Sequence, residues 1–311
     1  MDKKLITIVT PTFNEVENIE ELLRRIKEQT LKLTNYQFEI LVIDNCSSDG
    51  TQEKLRNLAC HDSSLKLIFN SRNFGHIRSP YYGILQSQGA ATIYLASDLQ
   101  DPPELIPEFI REWENGYKLV MAVKPTAKTS KIFHLIRKAY YRLLNLISEV
   151  QLLQDSTGFG LYDKKVLDQI RRIGDPYPYL RGLISELGYE VKCIPFEQPG
   201  RTRGISKNNF YTLYDIGMLG IVNHSKVPLR AATILGFTCG IGSIFFALIY
   251  LVLKIIHWEN FGMGIAPILI GVFFIMGLQF LFLGLLGEYI LSIHTKLQNR
   301  PVVVEEARIN F

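Results

Sequence analysis

Residues 39–51 read EILVIDNCSSDGT, an apolar, β-branched run that ends abruptly in small polar residues. A run of this kind predicts a strand buried on both faces, and residues 51–60 after it carry helical spacing. The same figure recurs on either side. Leu5–Val9, Leu65–Phe69, Thr92–Ala96 and Leu119–Val123 are further runs of strand length. Ile19, Leu22, Leu23 and Ile26 share one face of a helix, and segments 79–88 and 103–115 also predict helices. Strands alternating with helices imply right-handed crossovers and a mostly parallel sheet, hence an α/β fold. Ligands of such sheets bind beyond the carboxyl ends of the strands, so that edge is where polar residues are read for chemistry.

The 311 residues suffice for one large or two ordinary domains. A net charge of +4 gives no argument for nucleic acid, and suits anionic headgroups or phosphorylated substrates equally well. Cys46, Cys60, Cys193 and Cys239 are scattered, with no CxxC pair and no histidine at zinc spacing. That speaks against a disulfide framework or zinc site and for reduced thiols in the cytosol. The opening MDKKLITIVTP lacks the long apolar run of a signal peptide and reads as the first strand.

The last third changes character. Leu229–Leu253 is apolar apart from Arg230, and Ile265–Leu286 is interrupted only by Gln279. Each reaches the roughly 20 residues needed to cross a bilayer, which predicts a two-helix transmembrane hairpin over about 229–253 and 265–287. Lys207, Lys226 and Arg230 precede the first span, and Lys296, Arg300 and Arg308 follow the second. Positive flanks therefore place the α/β domain and both termini in the cytoplasm. Gly236 and Gly240 form a small-xxx-small pair suited to helix contact, which leaves a homo-oligomer open. Lys131–Val150 reads as an amphipathic helix, on the sheet or at the membrane surface. The resulting division is a domain over 1–206, an interfacial segment over 207–228, spans over 229–290 and a cytoplasmic tail over 291–311.

Three turns carry the candidate chemistry. The first strand ends in Thr10-Pro11-Thr12-Phe13-Asn14-Glu15, where Asn14 also reads as a helix cap. The second ends in Asp44-Asn45-Cys46-Ser47-Ser48-Asp49-Gly50-Thr51, and an aspartate there can accept from nucleobase N–H groups. The fourth ends in Ser97-Asp98-Leu99-Gln100-Asp101-Pro102-Pro103-Glu104. In it Asp101 reads as an N-cap and Glu104 as the partner of a capping box. Asp98 is not explained by that cap, and with the Gln100 amide it suits a hard divalent cation.

These turns, in this order, resemble the family 2 glycosyltransferases of the polyprenyl-phosphate type. The resemblance continues through Arg72-Asn73-Phe74-Gly75, Asp155-Ser-Thr-Gly-Phe159, Arg201-x-x-Gly204-x-Ser206-Lys207 and Gly287-Glu288-Tyr289. It implies a GT-A-like domain in which Pro11, Glu15 and Asp44 hold the nucleoside, and Asp98 and Gln100 hold Mg²⁺ or Mn²⁺. It further implies that Arg201 and Lys207 bind phosphate and that Asp155 lies near the acceptor. The implied partners are a nucleotide-sugar, inclined toward UDP, and a polyprenyl phosphate in the membrane.

The family usually carries Asp-x-Asp at the fourth strand, and this chain has Ala96 at the first position; Asn45 and Cys46 replace the usual Asp and Gly. The expected reaction is a single displacement, inverting at the anomeric carbon. A polysaccharide synthase with a hydroxyl acceptor, or a silent nucleotide-sugar-binding scaffold motivated by Ala96, stay open at this point.

Overall fold

The expected strands form where the apolar runs end in turn residues. The computed structural model describes residues 3–124, 156–176, 178–199, 227–256, 265–298 and 300–311, together with 218, 222 and 225. The expected helix over 131–150 and interfacial segment over 207–228 fall outside these residues, apart from 218, 222, 225, 227 and 228. Among the described residues, β1 (Lys4–Thr12), β2 (Tyr36–Asp44), β3 (Leu65–Asn70), β4 (Ala91–Tyr94), β5 (Leu119–Val123), β6 (Ser156–Asp163), β7 (Val191–Pro195) and β8 (Glu305–Ile309) make one sheet in the order β7-β5-β6-β4-β1-β2-β3-β8. The pairs β1/β2, β1/β4, β2/β3 and β5/β7 are parallel. Strand β6 runs against β4 and β5, and β8 runs against β3. The sheet is thus GT-A-like and mostly parallel, as expected.

Helices α1 (Ile19–Thr30), α2 (Thr51–Cys60), α3 (Gly75–Gln86), α4 (Ile106–Glu114), α5 (Lys164–Ile173) and α6 (Leu180–Glu186) accompany it. Successive strand residues feed opposite cores, because helices cover both faces. Ile8, Val42 and Leu67 pack with Ile19, Leu22 and Phe109, while Val9, Ile43 and Ile68 pack with Tyr81, Ile84 and Ile170. Gly83 lets α3 approach the sheet, since a Cβ there would stand 2.9 Å from Ile43 Cγ2.

Two expected boundaries move for identifiable reasons. The helix expected over 79–88 starts at Gly75, where Asn73 Oδ1 accepts the Gly75 N–H at 2.8 Å. The helix expected over 103–115 opens as a single 3₁₀ turn, Pro103–Leu105, before α4. Pro102 and Pro103 have no N–H to give to a regular first turn.

Beyond the sheet lie two long helices, α7 (Val227–Ile256) and α8 (Ile265–Leu297). Among the described residues, Phe274–Leu297 is long and apolar enough to cross a membrane, and Val227–Cys239 is a shorter apolar stretch. Strand β8 was not legible in the sequence. It lies in the segment after α8, yet it forms the edge of the sheet that begins at residue 4.

Candidate active site

Strand β1 lies between β2 and β4, so the turns that follow the three strands meet at one edge of the sheet. Each contains a non-glycine residue in the left-handed region: Asn14 at φ 56°, Cys46 at φ 63° and Leu99 at φ 60°. Asparagine tolerates this conformation, but for cysteine and leucine it costs about 1 kcal/mol or more, held by the surrounding structure. The glycine that Cys46 replaces would adopt the same backbone freely.

The first two turns are laced together. Asn14 N–H donates to Ser47 Oγ at 2.8 Å, and Ser48 N–H returns to Asn14 Oδ1 at 2.8 Å. Glu15 N–H donates to Thr51 Oγ1 at 3.1 Å, and Val16 N–H to Asp49 Oδ2 at 3.1 Å. Asn14 therefore caps the second turn and not its own helix, whose N-cap residue is Asn18. Glu15 is half-buried and accepts from Asn18 Nδ2 at 2.6 Å, and Pro11 pairs in register with Ile43. Sequence reasoning missed Ser47 and Thr51; their hydroxyls opposite a strained turn were the available signal.

Asp44 is fully buried at the end of β2. Its Oδ2 accepts from Ser47 N–H at 2.9 Å and Gln52 Nε2 at 2.8 Å. Its Oδ1 is buried with no hydrogen-bond partner, and so are the hydroxyls of Thr10 and Thr12 on β1. Thr12 and Asp44 are register partners, so their side chains leave the sheet on the same side. A buried acceptor left unmade costs about 1–3 kcal/mol, more when charged, which marks this spot for a ligand donor. Burial pushes the Asp44 carboxyl upward from its ordinary range, and the Ser47 and Gln52 bonds oppose that.

The Asn45 side chain is bonded to protein groups at both its polar atoms. Its Nδ2 donates to Asn73 Oδ1 at 2.9 Å and Gly75 O at 3.3 Å, and its Oδ1 accepts from Asn70 Nδ2 at 3.1 Å and Phe74 N–H at 2.8 Å. The residue that departs from the usual Asp thus ties the ends of β2 and β3 to the start of α3.

At the β4 turn Asp98 is half-buried, and its Oδ1 accepts the Gln100 N–H at 3.2 Å. Asp101 is not the expected helix cap. Its Oδ2 accepts the Ala96 N–H at 3.0 Å, and this turn of the backbone ends β4 at Tyr94. Glu104 likewise forms no capping box and instead pairs with Arg25 at 2.6 Å. Burial, reinforced by the charge of Asp98, pushes the Asp101 carboxyl up to about 6, with the Ala96 N–H bond and Lys124 opposing. Two carboxyls and an amide oxygen on one turn are hard donors, and burial, more than the neighbouring charge of Asp98, accounts for the raised Asp101. They fit a divalent cation. Among the described residues no three His, Cys, Asp or Glu side chains gather for a metal, so the protein's share of the shell is partial. Mg²⁺ commonly completes such a shell with water and substrate phosphates. Asp155, Arg201 and Lys207 lie outside the described residues.

The chain is similar to known proteins over most of its length. Residues 7–171 match the family model "Glycosyl transferase family 2". An uncharacterised glycosyltransferase of Bacillus subtilis, YkcC, is 33% identical over 96% of this chain and 92% of its own length. The SfII prophage-derived bactoprenol glucosyl transferase of Shigella flexneri is 30% identical over 95% of this chain and 96% of its own. The mannosyltransferase PcManGT of Pyrobaculum calidifontis, solved with GDP-Man and Mn²⁺, aligns over 74% of this chain and 65% of its own, with TM-score 0.48 and 19% identity.

Proposed function

From the premise that the chain belongs to glycosyl transferase family 2 and is a glycosyltransferase, we propose that it moves a sugar from a nucleotide-sugar to a polyprenyl phosphate. The donor is a UDP-sugar, the acceptor is of the undecaprenyl type, and the reaction runs at the cytoplasmic face of the membrane. The observation that carries this reading is the shared edge of β1, β2 and β4. It offers one unpartnered buried acceptor, Asp44 Oδ1, and one acidic turn, Asp98 to Asp101, on either side of β1. The first suits a nucleobase N–H, and the second suits the cation-bound diphosphate of the same molecule.

Asp44 would accept from the base, with Pro11 and Glu15 bordering the nucleoside. Asp98 and Gln100 would hold Mg²⁺ or Mn²⁺, which when bound neutralises charge on the departing diphosphate. Arg201 and Lys207 would bind phosphate, and Asp155 would lie at the acceptor. The acceptor's phosphate monoester has a second pKa of about 6, so at neutral pH it is a ready nucleophile and needs no strong base. In-line attack on the anomeric carbon breaks the bond to the nucleoside diphosphate and inverts the configuration. The protein's task is then positioning and electrostatics.

Kinship to bactoprenol glucosyl transferases along most of the chain supports the lipid acceptor. Large apolar side chains stand exposed on both long helices, such as Phe237 at 68% and Phe274 at 70%, which supports a lipid surrounding and a two-span hairpin.

The test is incubation of the purified chain with labelled nucleotide-sugars, Mg²⁺ or Mn²⁺, and polyprenyl phosphate. Labelled lipid is expected with wild type and none with Asp98→Ala, which should keep the fold by circular dichroism. Labelled polymer in its place would mean a synthase, and nucleotide binding without product would mean a silent scaffold.

A further inference from the structure

The catalytic sheet is completed by chain from the far side of the long helix pair. At the end of α8, Lys296 Nζ lies 3.5 Å from Asp175 Oδ2, just past α5. The chain then passes α3, where Arg78 Nη2 donates to Pro301 O at 2.5 Å. Val303 is buried, and Val304 O accepts the Ser71 N–H at 3.0 Å, immediately after β3. Strand β8 follows β3 from Asn70 back to Leu67, with Tyr82 of α3 donating to Glu305 Oε1 at 2.8 Å. Asn310, left-handed at φ 65°, then donates its Nδ2 toward the carbonyls of Ala59, Asp62 and Leu65 at 2.9 to 3.2 Å. Every step is a specific attachment, and the last closes on the C-terminal end of α2.

A solvated tail would need none of these bonds. A cover for the β3 edge alone would need β8 but not the contacts at Asp175 and Arg78, which lie between α8 and the strand. Resting on the reading that α7 and α8 span the bilayer, we propose that residues 300–311 are a second attachment of the catalytic domain to the membrane helices. A domain hung from a single connection before α7 pivots. With both ends of the hairpin fastened to it, the sheet keeps one orientation, and the edge bearing Asp44 and Asp98 stays within reach of a phosphate at headgroup depth. The tail acts through position and touches no substrate. Slack in a tether lowers the effective concentration of what it presents, and each added stretch of flexible chain lowers it further.

The test lengthens the tether while leaving every residue of 300–311 unchanged. Flexible Gly-Ser segments of about 10 and about 20 residues are inserted after Gln298 in the full chain. Three quantities are read: lipid glycosylation, nucleotide affinity by calorimetry, and a disulfide between Asp175→Cys and Lys296→Cys located by peptide mapping. The expected result is a graded fall in lipid transfer, reaching about tenfold, with unchanged nucleotide affinity and loss of the disulfide. Undiminished transfer with the longer insertion overturns the tether, as does a parallel loss of nucleotide affinity, which would make the tail merely structural. A chain without insertion that binds nucleotide but labels no lipid sinks the underlying catalytic reading and the tether with it. That control separates the two failures.

Discussion

The backbone N–H of Ala96 donates to Oδ2 of Asp101 at 3.0 Å. The position that lacks the family's usual carboxylate is therefore bound, through its backbone, to a carboxylate five residues on. Asp101 closes the turn that displays Asp98, and it also brings a second acidic group into the same buried region.

Restoring the missing acid by Ala96→Asp should raise cation affinity and lower the stability of the metal-free protein. Three carboxylates on one turn repel one another until a divalent ion neutralises them. Mn²⁺ titration should give a dissociation constant several-fold lower than wild type. Thermal melting with chelator should give a lower midpoint than wild type, and saturating Mn²⁺ should reverse that order.

For Asp44→Asn the two effects have opposite signs. Burial raises the folded-state pKa of Asp44 above its ordinary value, so its stabilising contribution is present at low pH and lost as pH rises through the raised value. The ionised group is thus a liability in the nucleotide-free protein at neutral pH. The asparagine variant should melt higher than wild type at pH 7 while binding nucleotide about 10- to 100-fold more weakly, because an amide N–H would face the base N–H. Wild-type affinity should also decline on acidification before the usual aspartate range is reached, and the variant's should not. Equal affinities across that range would remove Asp44 from the base site.

Asn45→Asp tests the hub beside it. An ionised carboxylate would set oxygen against Asn73 Oδ1 and Gly75 O, which now accept from Asn45 Nδ2. At pH 7 the variant should lose about 1–3 kcal/mol of stability. Repulsion and burial would raise the pKa of the new carboxyl, so the protonated form can donate again. The deficit relative to wild type should shrink as pH falls, and denaturant melts at pH 7 and pH 5 would detect it. A constant deficit would mean that the Nδ2 bonds are not what holds this turn.

Much of the fold was legible because it is written in local pattern. The runs at Leu5–Val9, Glu39–Ile43, Leu65–Phe69, Thr92–Ala96 and Leu119–Val123 are mostly apolar because their strands are covered on both faces, which is itself the mark of a parallel sheet. The ends of those runs gave the turns at Asn14, Asp44 and Asp98, since a strand that stops at a ligand edge must change from apolar to polar there. Residue type and place in the sequence determined that much unaided.

What the sequence left open was the direction of each polar side chain and the partners of distant segments. Asp44 and Asn45 are neighbours of similar size, yet one keeps an unmade bond at Oδ1 and the other has its side-chain oxygen and nitrogen both bonded to protein groups. Alternation along the strand fixes that they differ, and only the packing of β3 and α3 fixes which is which. Asp101 reads as a cap from its spacing to Glu104, but its Oδ2 accepts the N–H of Ala96 instead. Strand β8 joins β3 across more than two hundred residues of chain, and a five-residue strand carries no pattern strong enough to announce a partner so remote. Local periodicity records burial; it holds no information on which distant edge supplies the cover, and that was decided by the tertiary fold alone.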